Sequence, residues 1–393
     1  MSIKPVIVAV GYNRPDSMER LLKSVTSAYY PFEGIDLVIS IDESSKSDEV
    51  QKVAESFDWA YGEKIIKRYP ERQGLRKHII QCGDLSEKYG AVIVLEDDLV
   101  VSPSFYLYAY EAINHYDNDE NVAGVALYSH TWNEFAKMKF TPVQNEFDNY
   151  FGCFSITWGQ CWSFKQWSRF KEWYYAHEDK LPQVNYEIPS AITCWSAQSW
   201  GKYFVSFMVA NNLYYVMPYT AMTTNFSEIG QHNSSFFVTA YQTSLQKGRK
   251  INYRFAPFEE GVKYDIFFER VFEKPIAGIP SDEISVNLNG LRLDMLGKRY
   301  LLTTKRDKKL NLIASFGLRM RPVDANVEYE VKGEDIFLYD VENTNVTLKE
   351  HSVSKKRKYY ETSGLTWRVL LLIGVQKFID ALKLKFRKRK RKK

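Results

Sequence analysis

Three carboxylates in a row, Glu96, Asp97 and Asp98, follow the apolar run Ala91-Val-Ile-Val-Leu95. A second short apolar run, Leu99 to Val101, leads on to Pro103 and Phe105. Like charges crowded at the end of an apolar run repel one another and need a compensating cation. Hard carboxylate oxygens suit Mg²⁺ or Mn²⁺, and such an ion commonly carries a substrate's phosphates. A solvated acidic turn is the plainer alternative. Another acid, Asp42, closes the run Ile35-Asp-Leu-Val-Ile-Ser-Ile41, and Asn13 and Arg14 follow a run from Val6 to Val10. In Glu71-Arg-Gln-Gly-Leu-Arg-Lys-His78, Gly74 lets the backbone turn before a cationic helix start. Free N–H groups there suit a phosphate or ribose, with Arg76 and His78 as candidate contacts. His78 precedes Ile79 and Ile80, so a core position suits it equally.

These residues do chemistry together only if a frame brings the ends of several strands to one edge. The runs starting at Val6, Ile35 and Ala91 each read as a buried strand, with a weaker strand around Lys64 to Ile66. Between them lie helical patterns: Met18, Leu21, Leu22 and Val25; Val50, Val53 and Phe57; and Gly74 to Lys88. Strands alternating with helices imply right-handed crossovers, a parallel sheet flanked by helices, and ligands at the carboxyl ends of the strands. The fold class expected is α/β.

The opening, with Tyr12-Asn-Arg-Pro15 after the first strand, paired leucines in the next helix and a second strand ending in Asp42, resembles family 2 and related GT-A glycosyltransferases. Val94-Leu-Glu-Asp-Asp-Leu-Val-Val-Ser-Pro-Ser-Phe105 is similar to the acidic metal-binding motif of the N-acetylglucosaminyltransferase I group. The resemblance implies a GT-A, Rossmann-like sheet and a nucleotide-sugar site. Asp42 would accept a hydrogen bond from uracil, and Asn13 and Arg14 would meet the base and phosphates. Asp98 would bind the metal, with Asp97 and Glu96 toward ribose, sugar or metal-bound water. Arg76 or His78 would reach the nucleotide. Trp158-Gly159, followed by Trp162 and Trp167, resembles the acceptor-side loop, where the tryptophans either pack on a sugar or plug the core. Related sequences carry a catalytic carboxylate near Trp195, but this chain has Ser196, Gln198 and Ser199 there. Of the other nearby acids, Glu178, Asp179, Glu187 and Glu228, the base expected is Glu228. In Asn225 to Ser235, Gly230 permits a tight turn and His232 is expected on a phosphate or the metal, in a loop that closes over the diphosphate.

The chain has 393 residues and a net charge of +5. Nine cations and no acid lie between Lys383 and Lys393, which leaves the rest at −4, so the basic character belongs to the tail. The organisation expected is a catalytic domain over 1–235, an accessory, acceptor-side region over 236–348, and a linker, helix and polybasic tail over 349–393. Leu371, Val375, Phe378, Leu382 and Phe386 fall on one face of that helix, which with its tail suits an anionic membrane surface. Its longest apolar run, Val369 to Ile373, is far too short to span a bilayer. The four cysteines show no metal-type pairing, and the first strand begins at once, which together favour a reducing compartment. The resulting expectation is a peripheral protein on the cytoplasmic, inner face of the cell membrane. It would be a metal-dependent enzyme passing a sugar from a UDP-linked donor to a glycan or lipid-linked acceptor, with no nucleic-acid partner. A sugar-phosphate nucleotidyltransferase and an inactive nucleotide-sugar-binding protein are the alternatives.

Overall fold

The computed structural model describes residues 2–154, 156–179, 188–226, 239–342, 344 and 346–390, without the side chains of 384–390. The first half alternates as the patterning predicts. β1 (Val6–Gly11), α1 (Pro15–Thr26), β2 (Leu37–Ile41), α2 (Ser47–Glu55), β3 (Lys64–Arg68), α3 (Leu75–Gly83), the short α4 (Ser86–Tyr89) and β4 (Ala91–Glu96) follow in order. Pro15 sits at the first turn of α1, where its missing N–H costs nothing, and Met18, Leu21, Leu22 and Val25 turn the apolar face of that helix onto the sheet. The order β3-β2-β1-β4 is parallel throughout. β1 and β4 are apolar on both faces because helices cover both.

Beyond β4 the sheet becomes mixed. β5 (Leu99–Val101) leaves the main sheet, and α5 (Phe105–Tyr116) leads to β6 (Val122–Ala126). A small hairpin, β7 (Trp132–Asn133) and β8 (Met138–Lys139), precedes β9 (Asn149–Gly152) and β10 (Gln160–Ser163). After α6 (Phe164–His177), α7 (Ser190–Thr193) and α8 (Trp200–Ala210) come β11 (Tyr214–Pro218), β12 (Thr223–Asn225), β13 (Lys263–Tyr264) and β14 (Arg270–Val271). The ten-stranded sheet runs β14-β13-β9-β11-β6-β10-β4-β1-β2-β3. β10 lies antiparallel between β4 and β6, while β6·β11 and β9·β13 are parallel. The main core, which includes Phe255 to Phe268, follows the sheet past residue 235 to β14. The accessory sheet thus starts later than expected, because two-residue strands such as β13 leave no periodic signal.

That accessory sheet has the order β15-β16-β18-β17, from β15 (Ile284–Asn287), β16 (Tyr300–Thr303), β17 (Asn311–Phe316) and β18 (Ile336–Asp340), with α9 (Ala325–Glu328) between the last two. It has its own small core around Ile284, Leu302, Phe316 and Leu338. α10 (Lys355–Thr362) packs back on the body, burying Arg357, and α11 (Trp367–Lys390) follows. On α11, Trp367, Leu371, Leu372, Val375 and Phe378 are all exposed. Among the described residues, no helix is long and apolar enough to cross a membrane.

Candidate active site

The carboxyl ends of three neighbouring parallel strands deliver the predicted residues to one edge. Val10 is in register with Glu96, Gly11 with Ile41, and Asp42 donates its N–H to the Gly11 carbonyl at 2.9 Å. Asp42 and the acidic turn are therefore two strand spacings apart, about 10 Å, with Arg14 between them. Arg14 hydrogen-bonds Asp97 through Nη2 and lies 3.7 Å from an oxygen of Asp98. Burial alone would lower the Arg14 pKa, but Asp97 and then Asp98 outweigh it, so the guanidinium is held more firmly protonated. Glu96 sits deepest. Burial, then Asp98 and Asp97, push its carboxyl up to about 8. Its Oε1 is buried and has no hydrogen-bond partner among the described residues. Asp97 is nearly buried, at 5% side-chain exposure, while Asp98 is 24% exposed and forms the open lip of the turn. Asn13 is exposed at the mouth.

Asp42 has a more definite role than its position alone suggested. It is buried, and its Oδ1 accepts the N–H groups of Glu43 (2.9 Å) and Gln73 (2.6 Å) while its Oδ2 accepts that of Gly74 (3.0 Å). The carboxylate ties the end of β2 to the start of α3, where Gly74 adopts φ +76°. A carboxylate offers about four acceptor positions, so one remains for a ligand N–H. His78 does not reach the cleft. It is 2% exposed, 2.7 Å from the Ser40 hydroxyl and edge-on to Tyr69, so it belongs to the core. Burial drives its pKa down to about 4, which keeps it neutral. Arg76 points the other way along α3 and donates to the Ala197 carbonyl (2.9 Å) and the Tyr203 hydroxyl (2.7 Å), bracing α8 instead of facing the acids.

The far wall is the Trp158-Gly159 turn. The pairing of Gln160 with Val94 carries Trp158 to the level of Glu96. Gly159 adopts φ +93°, and a Cβ there would lie 2.8 Å from Thr223 Cγ2, so only glycine fits. The Thr223 hydroxyl donates to the Trp158 carbonyl at 2.5 Å, while β12 pairs with β5. Thr223 thus couples the acidic turn to the tryptophan wall. Trp158 is half-buried against Tyr128 and Tyr241. Trp162 and Trp167 are core plugs: both are fully buried, packed against each other at a tilt, and bonded through their indole N–H groups to Tyr215 and Asp84. The turn after Trp195 presents no acid, and Glu178 and Asp179 are exposed. Glu187, Glu228, Gly230 and His232 lie outside the described residues. The last described residue before them, Phe226, donates its N–H to the Asp98 carbonyl (3.0 Å), and its ring lies under the Arg20 guanidinium.

Two groups at this wall carried no signal in the sequence. Gln160 is fully buried with both amide atoms unpartnered among the described residues. Glu134, in the β7–β8 hairpin, has its carboxyl raised by burial; burial first, and Glu134 after it, raise Tyr128 and Tyr241, the rings packed on Trp158. Neither belongs to a recognisable motif.

The donor set suits a divalent ion only in part. Among the described residues no group of three or more His, Cys, Asp and Glu forms a cage. The partly exposed Asp98 and the orphaned Glu96 oxygen are hard donors that fit an ion completing its shell with substrate phosphates, which is how Mg²⁺ is commonly bound.

A search of curated proteins finds no match. Among solved structures, this chain is similar to a mannosyltransferase from Pyrobaculum calidifontis in complex with GDP-Man and Mn²⁺ (14% identity, 43% of this chain and 46% of that one, TM-score 0.30). It is also similar to GalNAc-T7 with UDP, GalNAc and Mn²⁺ (12% identity, 55% and 43%, TM-score 0.37) and to S. aureus TarS (13% identity, 56% and 59%, TM-score 0.34). The chain spans about half the length of these structures. The family model described as "Glycosyl transferase family 2" matches residues 6–173, which take in β1, the acidic turn and the Trp158-Gly159 wall. That match is confined to the segment from β1 into α6.

Proposed function

We propose that this chain transfers a sugar from a nucleotide-sugar donor, UDP-linked, to a glycan or lipid-linked glycan, with Mn²⁺ or Mg²⁺ bound. One observation supports this above the rest: Asp42, Arg14 and the Glu96–Asp98 turn share one strand edge, opposite Trp158-Gly159. In this reading Asp42 takes the base through its remaining acceptor position, and Asn13 lines the mouth. Arg14, kept charged by Asp97, offers a cation to the phosphates and holds the turn in shape. Asp98 is the metal ligand, and the ion supplies charge that offsets the departing diphosphate. The reacting sugar lies between the acidic turn and Trp158. An inverting reaction needs a base on the acceptor hydroxyl. Glu228 is retained for that role, and Glu134 joins it as a carboxyl beside Tyr128 and Tyr241, the rings packed on Trp158. His232 is kept as a phosphate or metal contact.

The membrane proposal rests on α11. Its apolar side chains stand exposed before a run of cations from Arg387 to Lys393, and each cation near an anionic leaflet contributes about 1 kcal/mol. We place the protein on the cytoplasmic face of the membrane, where a lipid-linked acceptor would be presented to the cleft. Removing residues 366–393 is expected to abolish co-sedimentation with phosphatidylserine vesicles, and unchanged sedimentation would overturn that part. For the donor, thermal unfolding is measured against a panel of nucleotide sugars with and without Mn²⁺. Stabilisation that requires both the nucleotide sugar and the metal is expected; stabilisation by neither, or by free sugar alone, would reject the reading.

A further inference from the structure

We infer that a second ligand site, built for a small oxyanion of the phosphate or carboxylate class, lies where the last hairpin of the main sheet meets the accessory region and α10. A cavity of about 70 Å³ opens there. It has room for one such anion or a few waters, and none for a nucleotide sugar. Two of its walls are arginines that are almost fully buried: Arg270 of β14 and Arg357 of α10. A buried guanidinium is retained only where its N–H groups are matched. These are not. Nε and Nη1 of Arg270, and Nε and Nη1 of Arg357, are all buried and without hydrogen-bond partners.

The acids nearby do not close the account. Glu273 reaches Arg270 Nη2 only at 3.4 Å, and Glu328 stands 3.9 Å from Nη1. Glu361 serves the Nη2 of Arg357 at 2.8 Å and is shared with Arg321, which also lines the cavity. Asp324 is taken by the Tyr264 hydroxyl at 2.6 Å. Glu269 accepts the Asn289 N–H, and burial pushes its carboxyl up to about 8, so it brings little negative charge at neutral pH. What the cavity offers is a set of planar cationic forks with open N–H groups, which is the geometry that carboxylate and phosphate oxygens match. An anion there would bridge β14 to α10, immediately before the helix that carries the basic tail. The site is separate from the acidic turn and does not depend on the donor assignment.

Hydrogen exchange on the full chain tests this, in millimolar sodium phosphate, in sodium acetate and in sodium chloride at matched ionic strength. Slower exchange in phosphate or acetate than in chloride is expected in peptides covering 268–272, 321–326 and 355–361. A response to phosphate alone assigns the phosphate class, and a response to acetate alone assigns the carboxylate class. Melting should follow: at ten times Kd the anion multiplies the folded-to-unfolded ratio about elevenfold. Arg270→Gln and Arg357→Gln should each lose the response, whereas Arg14→Ala should keep it. No difference from chloride, protection confined to residues 11–14 and 96–98, or an undiminished response in both Gln variants would overturn the site. The wild-type exchange map decides the matter even if a Gln variant fails to fold.

Discussion

Asp42→Ala is the most informative single change in the candidate site, because the structure predicts a local effect of known size. The side chain accepts three backbone N–H groups, two of them from Gln73 and Gly74, more than thirty residues further along the chain. Hydrogen bonds to a charged acceptor contribute about 1.5–3 kcal/mol each. Gln73 and Gly74 are half-exposed, so water replaces part of what is lost, and the Glu43 bond is local. The expected cost of freeing the start of α3 is therefore about 3 kcal/mol, or roughly a hundredfold in local opening. Hydrogen exchange of peptides spanning residues 70–78 reads this directly, with donor affinity measured beside it. Asp42→Asn should fall between wild type and Ala, since it keeps one acceptor oxygen but turns an amide N–H toward Gln73 or Gly74. The reasoning fails if Gln73 and Gly74 exchange within threefold of wild type in Asp42→Ala. It fails equally if Asn and Ala behave alike.

Two further outcomes follow from the same geometry. His78 has its pKa driven down from 6.5 to about 4 by burial, so the unfolded chain takes up a proton that the folded one refuses. Its contribution is present in full above pH 6.5 and is lost as pH falls toward 4, by about 3 kcal/mol. His78→Gln should flatten that part of the stability-versus-pH curve, and an unchanged acid slope would contradict the burial account. Gly159→Ala places a Cβ 2.8 Å from Thr223 and forces an L-residue to a positive φ. A loss of about 1–3 kcal/mol is expected, with turnover falling further than stability as the Trp158 carbonyl moves, and a neutral result in both would show that the turn relaxes freely.

The strand edge that carries the candidate site was legible because the signals there are local. Buried parallel strands write continuous apolar runs, and a charged residue directly after such a run marks the strand end that faces a ligand. Asp42, Arg14 and Glu96–Asp98 are legible in this way, whereas Gly159 beside its tryptophan is legible only through a family resemblance. Residues whose side depends on tertiary packing were not legible. His78 and Arg76 are two positions apart on α3, so the helix turns one onto Ser40 and the other toward α8, and no local pattern decides which neighbours wait there. Trp162 and Trp167 look like sugar platforms until β10 is seen wedged between β4 and β6, which seals them inside. Glu134 and Gln160 lack a motif, and only the fold brings Glu134 near Trp158 and buries the Gln160 amide. The two-residue strands that prolong the sheet to Val271, and the arginine cavity behind them, are products of long-range pairing alone.

The most direct test of the whole account is nucleotide release from UDP-sugars, compared between wild type and Asp98→Ala, with Mn²⁺ and then with EDTA. Slow release by wild type that needs the metal, and its loss by at least a hundredfold in Asp98→Ala with far-UV circular dichroism unchanged, is the predicted result. Release that survives both the substitution and the chelator would contradict the assignment of the acidic turn.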